Sequence, residues 1–147
     1  MVSKDRRFRN RTFLSSFKVA ISGILLVSKQ EKNFQFHLVC AAIAIIFGCI
    51  FSISWIEWFF VCSAIFGVLT FELLNSSIER VVDLVTEDYH DLAKAAKDMA
   101  SGAVFLFAVY AVIIGMIVFL PKIWSLLLYH EIQLISYTIF ENTGVFG

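Results

Sequence analysis

Four polar side chains recur on one face of a stretch that is otherwise apolar. They are Glu72, Asn75, Glu79 and Asp83. At about 100° per residue the four positions fall within an arc of about 80°, so they form one acidic stripe. The stripe is roughly 16 Å long at about 1.5 Å of helical rise per residue. Because carboxylates at bilayer depth are rare and usually functional, the stripe is the predicted site.

The composition of the chain is that of an integral membrane protein. Of its 147 residues 59% are hydrophobic, and the mean hydropathy of +0.81 is too high for a soluble domain of this size. The charges are segregated along the chain. Residues 1–32 contain eight Lys or Arg and two acids, whereas residues 72–98 contain seven acids and three bases. The net charge of zero therefore combines a basic start with an acidic middle.

The hydropathy pattern predicts an all-α protein with one surface helix and three membrane spans. A basic arm, residues 1–11, precedes apolar residues at helical spacing that run from Phe13 to Leu25. This pattern predicts an amphipathic helix in the membrane interface. The predicted spans are residues 34–55, 58–74 and 103–120.

The polar segments around these spans predict how they end. The second span is expected to continue as a polar helix to about residue 85, followed by a surface loop at 86–91 and a helical segment at 92–100. Pro121 is expected to end the third span, because proline lacks the backbone N–H of a helix interior. A second interfacial helix is one interpretation of residues 123–135.

The distribution of basic residues predicts the orientation. The N-terminal segment carries eight Lys or Arg and the turn at 52–58 carries none, so the positive-inside rule places the N-terminus in the cytoplasm. Three spans then place residues 75–98 in the cytoplasm, where nucleotides are present, and the C-terminus outside.

Acidic residues at the cytoplasmic ends of separate spans predict a shared site. Glu31 lies at the foot of the first span, Glu79 and Asp83 at that of the second, and the Lys97-Asp98 pair at that of the third. Carboxylates together with phosphate oxygens are the usual ligands of protein-bound Mg²⁺, and a lysine neutralises phosphate charge.

Glu72 lies one to two turns deeper in the membrane than this group. Its carboxylate is placed to accept a proton from a lipid hydroxyl. The combination indicates phosphoryl transfer from a cytoplasmic nucleotide to a lipid alcohol, with catalysis by positioning and electrostatics.

Two other interpretations remain open from the residues alone. In one, the acids are structural and form ion pairs with Arg80, Lys94 and Lys97 that join helix ends. Alternatively, Glu72 and Glu79 form an ion or proton relay. No Walker A sequence or kinase-type glycine loop is present to indicate a nucleotide.

Two stretches resemble the prokaryotic diacylglycerol kinase family. The first is Glu72-Leu-Leu-Asn-Ser-Ser-Ile-Glu-Arg-Val-Val-Asp83, and the second is Ala93-Lys-Ala-Ala-Lys-Asp-Met-Ala-Ser-Gly-Ala-Val104. The resemblance covers about residues 12–121. The segments Glu31–His37 and Leu92–Asp98 are most similar to the Gram-positive-type undecaprenol kinases of this family.

The resemblance implies a homotrimeric membrane kinase whose active sites are shared between protomers, with ATP as co-substrate and Mg²⁺ as cofactor. It implies that Glu72 is the general base and that Glu31 and Glu79 bind the metal. The implied ATP-binding residues are Glu31, Asn75, Glu79, Asp83, Asp88, Tyr89, His90, Lys97 and Asp98. Glu72 and Ser101 are implied to border the lipid substrate.

These features together predict a multi-pass cell-membrane kinase that phosphorylates undecaprenol and has no nucleic-acid partner. The predicted regions are 1–30, the arm and surface helix; 31–121, the kinase domain; and 122–147, a tail without a counterpart in the family. Diacylglycerol is the alternative substrate. The alternative of a different class is a membrane trimer that conducts ions or protons without catalysis.

Overall fold

The computed structural model describes residues 12–86 and 88–143, and four α-helices account for most of them. The helices are α1, Phe13–Gln30; α2, Lys32–Ile50; α3, Trp55–Val85; and α4, Asp91–Thr143. Among the described residues, α2, α3 and α4 are long and apolar enough to cross a membrane. The prediction of an all-α membrane protein with a surface helix and three spans is confirmed. The basic arm, residues 1–11, lies outside the described residues.

The break between α1 and α2 is a single residue. Glu31 has extended backbone angles (φ −100°, ψ 115°), and its N–H donates to the carbonyl of Val27, the bond that closes α1. The helix resumes at Lys32. One non-helical residue changes the direction of the chain here, so Glu31 stands at the corner between two helices.

The first span is shorter than predicted, because α2 ends at Ile50 rather than at Trp55. Ser52 has a φ of 47°, in the left-handed region, which stops the helix. Ser54 and Glu57 then start α3 as a capping box. The Ser54 N–H donates to Glu57 Oε2 over 2.6 Å, and the Glu57 N–H donates to Ser54 Oγ over 3.3 Å.

The second span agrees with the prediction at its polar end, because α3 runs to Val85 and the loop that follows ends where α4 begins at Asp91. The prediction that Pro121 ends the third span is wrong. Helix α4 continues through Pro121 to Thr143. Proline removes one donor and leaves the carbonyl of Ile117 without its helical partner, but such a loss is tolerated in membrane helices. At about 1.5 Å per residue α4 is roughly 80 Å long, more than one crossing requires.

The chain divides into two compact units, each built from two separate stretches. The first unit comprises Met1–Val39 and Leu69–Val104, and the second comprises Cys40–Val68 and Phe105–Gly147. In the second unit Ile53, Val61 and Val118 form a buried apolar cluster. Partly buried hydrophobic side chains surround this cluster: Ala44, Phe51, Trp58, Ile65, Ile114 and Phe119. All residues of the predicted site belong to the first unit.

Candidate active site

The acidic stripe on α3 passes from buried to exposed along the helix. Glu72 is 3% exposed and Asn75 is 7% exposed, and Ser76 on the same turn is also buried. Glu79 is half-buried and Asp83 is exposed. A carboxylate as enclosed as Glu72 requires a compensating partner, because burial of an unpaired charge is strongly unfavourable. Partners that compensate this burial are therefore expected around Glu72, at the buried end of the stripe.

Asn75 joins the buried part of the stripe to Glu79. Its side-chain Nδ2 donates to Glu79 Oε1 over 2.9 Å, one helical turn away. The other end of the amide, Asn75 Oδ1, is buried and accepts no hydrogen bond from the described residues. Buried acceptors are nearly always satisfied in folded proteins, so Asn75 Oδ1 marks a position suited to a donor or cation supplied from outside the chain.

Glu31 reaches the same unit from the corner between α1 and α2. Its Oε1 accepts from Arg80 Nη2 at 3.0 Å, and the same Arg80 nitrogen donates to Gln30 Oε1 at 3.0 Å. Arg80 follows Glu79 on α3. The ion pair between Arg80 and Glu31 therefore holds the corner between α1 and α2 against the polar half of α3. A second ion pair joins Lys97 Nζ to Asp83 Oδ1 at 2.5 Å.

These ion pairs agree in part with the structural interpretation of the acids. Arg80 and Lys97 pair with acids as that interpretation expects. Both pairs are partly exposed and have modest energies, about 0–1 kcal/mol each. Neither pair involves Glu72, so the buried carboxylate has a different environment.

The remaining predicted site residues lie on the loop 86–90 and the start of α4. The Asp88 N–H donates to Thr86 Oγ1, and that hydroxyl donates to the Asp88 carbonyl, both over 3.1 Å. The Leu92 N–H donates to His90 Nδ1 over 3.2 Å. The Tyr89 ring is exposed. Asp98 and Ser101 are exposed on α4. This part of the predicted site therefore consists of side chains that are open to solvent or lipid.

One contact in the site was not assigned from the sequence. His37 Nε2, on the second turn of α2, lies 3.3 Å from Glu72 Oε1. A lone histidine near the start of a span is by itself typical of ordinary structural residues. The partner is 35 positions away in the chain, and only the packing of α2 against the polar half of α3 brings the two together.

Ionisable groups on α2, on α3 and at the end of α1 interact electrostatically with the Glu72 carboxylate. In the described part of the chain, the ionisable groups that act on it are His37, Glu79 and Glu31. Thus the two predicted metal ligands lie within electrostatic range of the predicted base. A carboxylate surrounded in this way can accept a proton from a hydroxyl beside it, and the nearby acids can hold a cation with its phosphate ligands.

Residues 12–86 and 88–143 contain no group of three His, Cys, Asp or Glu that could hold a metal ion. Mg²⁺ differs from zinc in this respect, since it is commonly held by one or two carboxylates and completed by waters and substrate phosphates. The oxygen donors present, the carboxylates of Glu31 and Glu79 and the unpartnered Asn75 Oδ1, suit that mode of binding.

Comparison with known proteins gives a consistent result. The family model for prokaryotic diacylglycerol kinase matches residues 18–119. An undecaprenol kinase from Bacillus subtilis (strain 168) is 47% identical over 123 residues, which cover 84% of this chain and 100% of that protein. A diacylglycerol kinase from Synechocystis sp. is 37% identical over 115 residues, 78% of this chain and 66% of the relative. A diacylglycerol kinase from Escherichia coli (strain K12) is 34% identical over 96 residues, 65% of this chain and 75% of the relative.

Proposed function

Because the chain belongs to the prokaryotic diacylglycerol kinase family, we propose that it transfers the γ-phosphate of ATP to undecaprenol and forms undecaprenyl phosphate. One observation carries this choice of substrate. The undecaprenol kinase is matched over its whole length at 47% identity, whereas the two diacylglycerol kinases compared with it are matched at 37% and 34% over parts of their length. Diacylglycerol is the second candidate.

The roles proposed for the site residues are those that the family resemblance implies, and the burial of Glu72 supports the first of them. Glu72, enclosed on α3, is the general base. As the lipid oxygen attacks the γ-phosphorus, Glu72 accepts the hydroxyl proton, the bond from the phosphorus to the β,γ-bridging oxygen breaks, and ADP leaves. A base that is held in place beside the hydroxyl accelerates such a step by about 10²- to 10⁴-fold.

Glu31 and Glu79 are the residues that would hold Mg²⁺, with Asn75 Oδ1 as a further oxygen donor. When bound, the ion supplies charge neutralisation on the phosphates. The unpartnered, buried Asn75 Oδ1 supports this assignment, because it is an acceptor that the described residues leave unsatisfied. Its amide also fixes Glu79 through the 2.9 Å hydrogen bond.

Residues at the polar end of α3, between α3 and α4, and at the start of α4 are proposed to bind the rest of the nucleotide. They are Asp83, Asp88, Tyr89, His90, Lys97 and Asp98. Ser101, on the first turns of α4, is proposed to border the lipid. The basic N-terminal segment supports a cytoplasmic location for this site in the cell membrane.

The assembly is proposed to be a homotrimer with sites shared between protomers. Large hydrophobic side chains are exposed along α2, α3 and α4, a pattern suited to lipid or to neighbouring copies. Mixed trimers test the sharing. Chains that carry Glu72→Gln are assembled with chains that carry Asp98→Asn, a change on a different helix, and recovery of activity above either parent supports shared sites. No recovery would place each site within one protomer.

Labelled phosphate transfer in mixed micelles tests the substrate. The purified protein is incubated with radiolabelled ATP, Mg²⁺ and either undecaprenol or diacylglycerol, with Glu72→Gln protein as the matched blank. The expected result is a higher kcat/KM for undecaprenol. A clearly higher kcat/KM for diacylglycerol would overturn the substrate assignment, and no transfer to either alcohol would overturn the proposed function.

A further inference from the structure

His37 contacts the buried carboxylate of Glu72, and the proposed function assigns no role to this histidine. The Glu72 side chain is 4% exposed and the His37 side chain 19% exposed, and Nε2 lies 3.3 Å from Oε1. Both residues belong to the same compact unit and stand on helices rather than on loops. Catalytic geometry is held best by groups on rigid elements whose rotamers are restricted by neighbours.

We propose that His37 is the positioning residue for the catalytic Glu72, holding Oε1 so that Oε2 is presented to the lipid hydroxyl. This inference rests on the proposed function, because it assigns His37 a role through the base. The imidazole is the group on which the orientation of the carboxylate depends, since no other described side chain contacts Glu72 through an ion pair or hydrogen bond.

The side chain of Glu72 needs a restraint because it is flexible. A glutamate has three side-chain torsions, so burial alone does not fix the direction of its carboxylate. Glu79 has a partner of its own, since its Oε1 accepts from Asn75 Nδ2. His37 provides the corresponding contact to Glu72 from α2.

The backbone position of His37 also limits where its ring can go. It lies on the second turn of α2, where Gln35 Nε2 donates to the carbonyls of Ser28 and Lys29 at the end of α1. The Phe36 ring meets the imidazole edge to face, with centroids 5.6 Å apart. The start of α2 is thus attached to α1, and the imidazole extends from a fixed point.

Two substitutions of similar polarity separate positioning from general packing. In His37→Gln the side-chain nitrogen replaces Nε2, the atom that meets Glu72. In His37→Asn it lies closer to the place of Nδ1. We expect His37→Asn to lower kcat about 100-fold, the loss typical of a misplacement of about 1 Å. His37→Gln should retain activity within about threefold of the original protein, and the KM for ATP should stay within twofold in both.

The control is His130→Leu, which removes an exposed histidine outside the first unit and should change neither kcat nor KM. A second arm combines His37→Asn with Glu72→Gln. If His37 acts through the carboxylate, its substitution should cause no further loss once the carboxylate is absent. Circular dichroism and size-exclusion chromatography in detergent verify that each variant is folded and assembled.

Three results would overturn the proposal. They are equal activity of His37→Asn and the unsubstituted protein, equal losses in His37→Gln and His37→Asn, or a further loss in the double variant as large as the loss in the single one. A rise in lipid KM with unchanged kcat would instead make His37 a substrate contact. All arms are measured with whichever alcohol the protein turns over, so a wrong substrate leaves this test intact. A protein inactive on every alcohol refutes the proposed function itself.

Discussion

The two compact units differ in what they bury. In the first unit the buried set includes Glu72, Asn75 and Ser76 beside hydrophobic residues such as Val27 and Phe34. In the second unit the buried residues are all apolar, among the described residues. Burying polar groups has an unfavourable free energy unless partners compensate it. Burial of these polar groups therefore lowers the stability of the first unit unless partners compensate it, and the residues proposed for catalysis belong to this unit.

The charged contacts differ in the same way. Among the described residues of the second unit, one ion pair joins Lys122 Nζ to Glu57 Oε1 at 3.1 Å, and Glu57 also caps the start of α3 through Ser54. Glu57 and its capping partner Ser54 therefore lie at the start of a helix. In the first unit, His37 meets a carboxylate in the middle of α3, where no helix end needs a cap. The two contacts therefore differ in their place on α3: Glu57 is paired at the start of the helix, whereas Glu72 is paired and buried in its middle.

Packing in the second unit depends on aromatic rings and close approach instead. The Phe47 ring meets the rings of Phe51 and Phe119 with centroids 6.0 Å and 6.1 Å apart. Gly67 leaves room for the Phe107 ring, which a Cβ atom at that position would overlap. Ser63 Oγ and Tyr110 Oη form a hydrogen bond over 3.3 Å. Substitutions in this unit should therefore change stability before they change catalysis.

The largest expected effect comes from Glu72→Gln, which tests whether the buried carboxylate of the first unit is catalytic. Loss of the base should lower kcat by about 10²- to 10⁴-fold, while the folded protein and its Mg²⁺-dependent nucleotide binding persist. Lipid phosphorylation and ATP-analogue binding are measured on the same sample. Phosphoryl transfer at the original rate would remove Glu72 from the mechanism.

Glu79→Gln should affect the metal rather than the base. We expect the Mg²⁺ concentration for half-maximal activity to rise by at least about 10-fold, because loss of even an outer-shell partner of a bound metal costs about 10- to 100-fold in affinity. Part of the kcat should return at high Mg²⁺. A Mg²⁺ titration of the initial rate measures this, and a curve that coincides with that of the unsubstituted protein would contradict the ligand role.

Gly67→Ala tests the packing of the second unit, because it forces a methyl group against the Phe107 ring. Overpacking of this kind lowers the free energy of unfolding by about 1–3 kcal/mol, while kcat per folded molecule should stay within about twofold. Reversible unfolding in mixed micelles gives the free energy. Gly115→Ala is the matched control, since a Cβ there meets no atom within 4 Å. Equal stabilities of the two variants would refute the close-packing argument.

Glu57→Gln should have the smallest effect. It removes the charge that pairs with Lys122 but keeps an oxygen that can accept from the Ser54 N–H. Because exposed ion pairs contribute little to stability, the loss in stability should be smaller than in Gly67→Ala. Its kcat should equal that of the unsubstituted protein, in contrast to Glu72→Gln. A loss of turnover in Glu57→Gln comparable with that in Glu72→Gln would contradict the proposal that only the first unit carries catalytic acids.

Periodicity and composition were enough to predict most of the helical architecture. The three spans, the surface helix and the continuation of α3 to Val85 follow from hydrophobic length and spacing, which are local properties. The end of α2 and the passage through Pro121 were predicted wrongly. The first depends on the backbone of Ser52 and the cap at Ser54. The second depends on how the surroundings accommodate a missing hydrogen bond.

For the site, the sequence predicted which residues share a helix face but not which residues meet across helices. Glu72, Asn75 and Glu79 share a helix, so their common face followed from the 3.6-residue repeat, and the family was recognised from the same stretch and confirmed. The roles of these residues, the bound Mg²⁺ and the trimer stay predictions. Arg80 and Lys97 were expected to pair with acids, but their particular partners, Glu31 and Asp83, were not specified.

The sequence by itself therefore determined the acidic stripe, the spans that carry it and the family, because each depends on residues close together in the chain. Only the tertiary structure decided that Glu72 is buried against His37, that Asn75 Oδ1 lacks a partner, and that Glu31 pairs with Arg80. These contacts depend on the rotation and height of one helix against another. That arrangement results from the packing of many side chains together and is encoded in no single stretch.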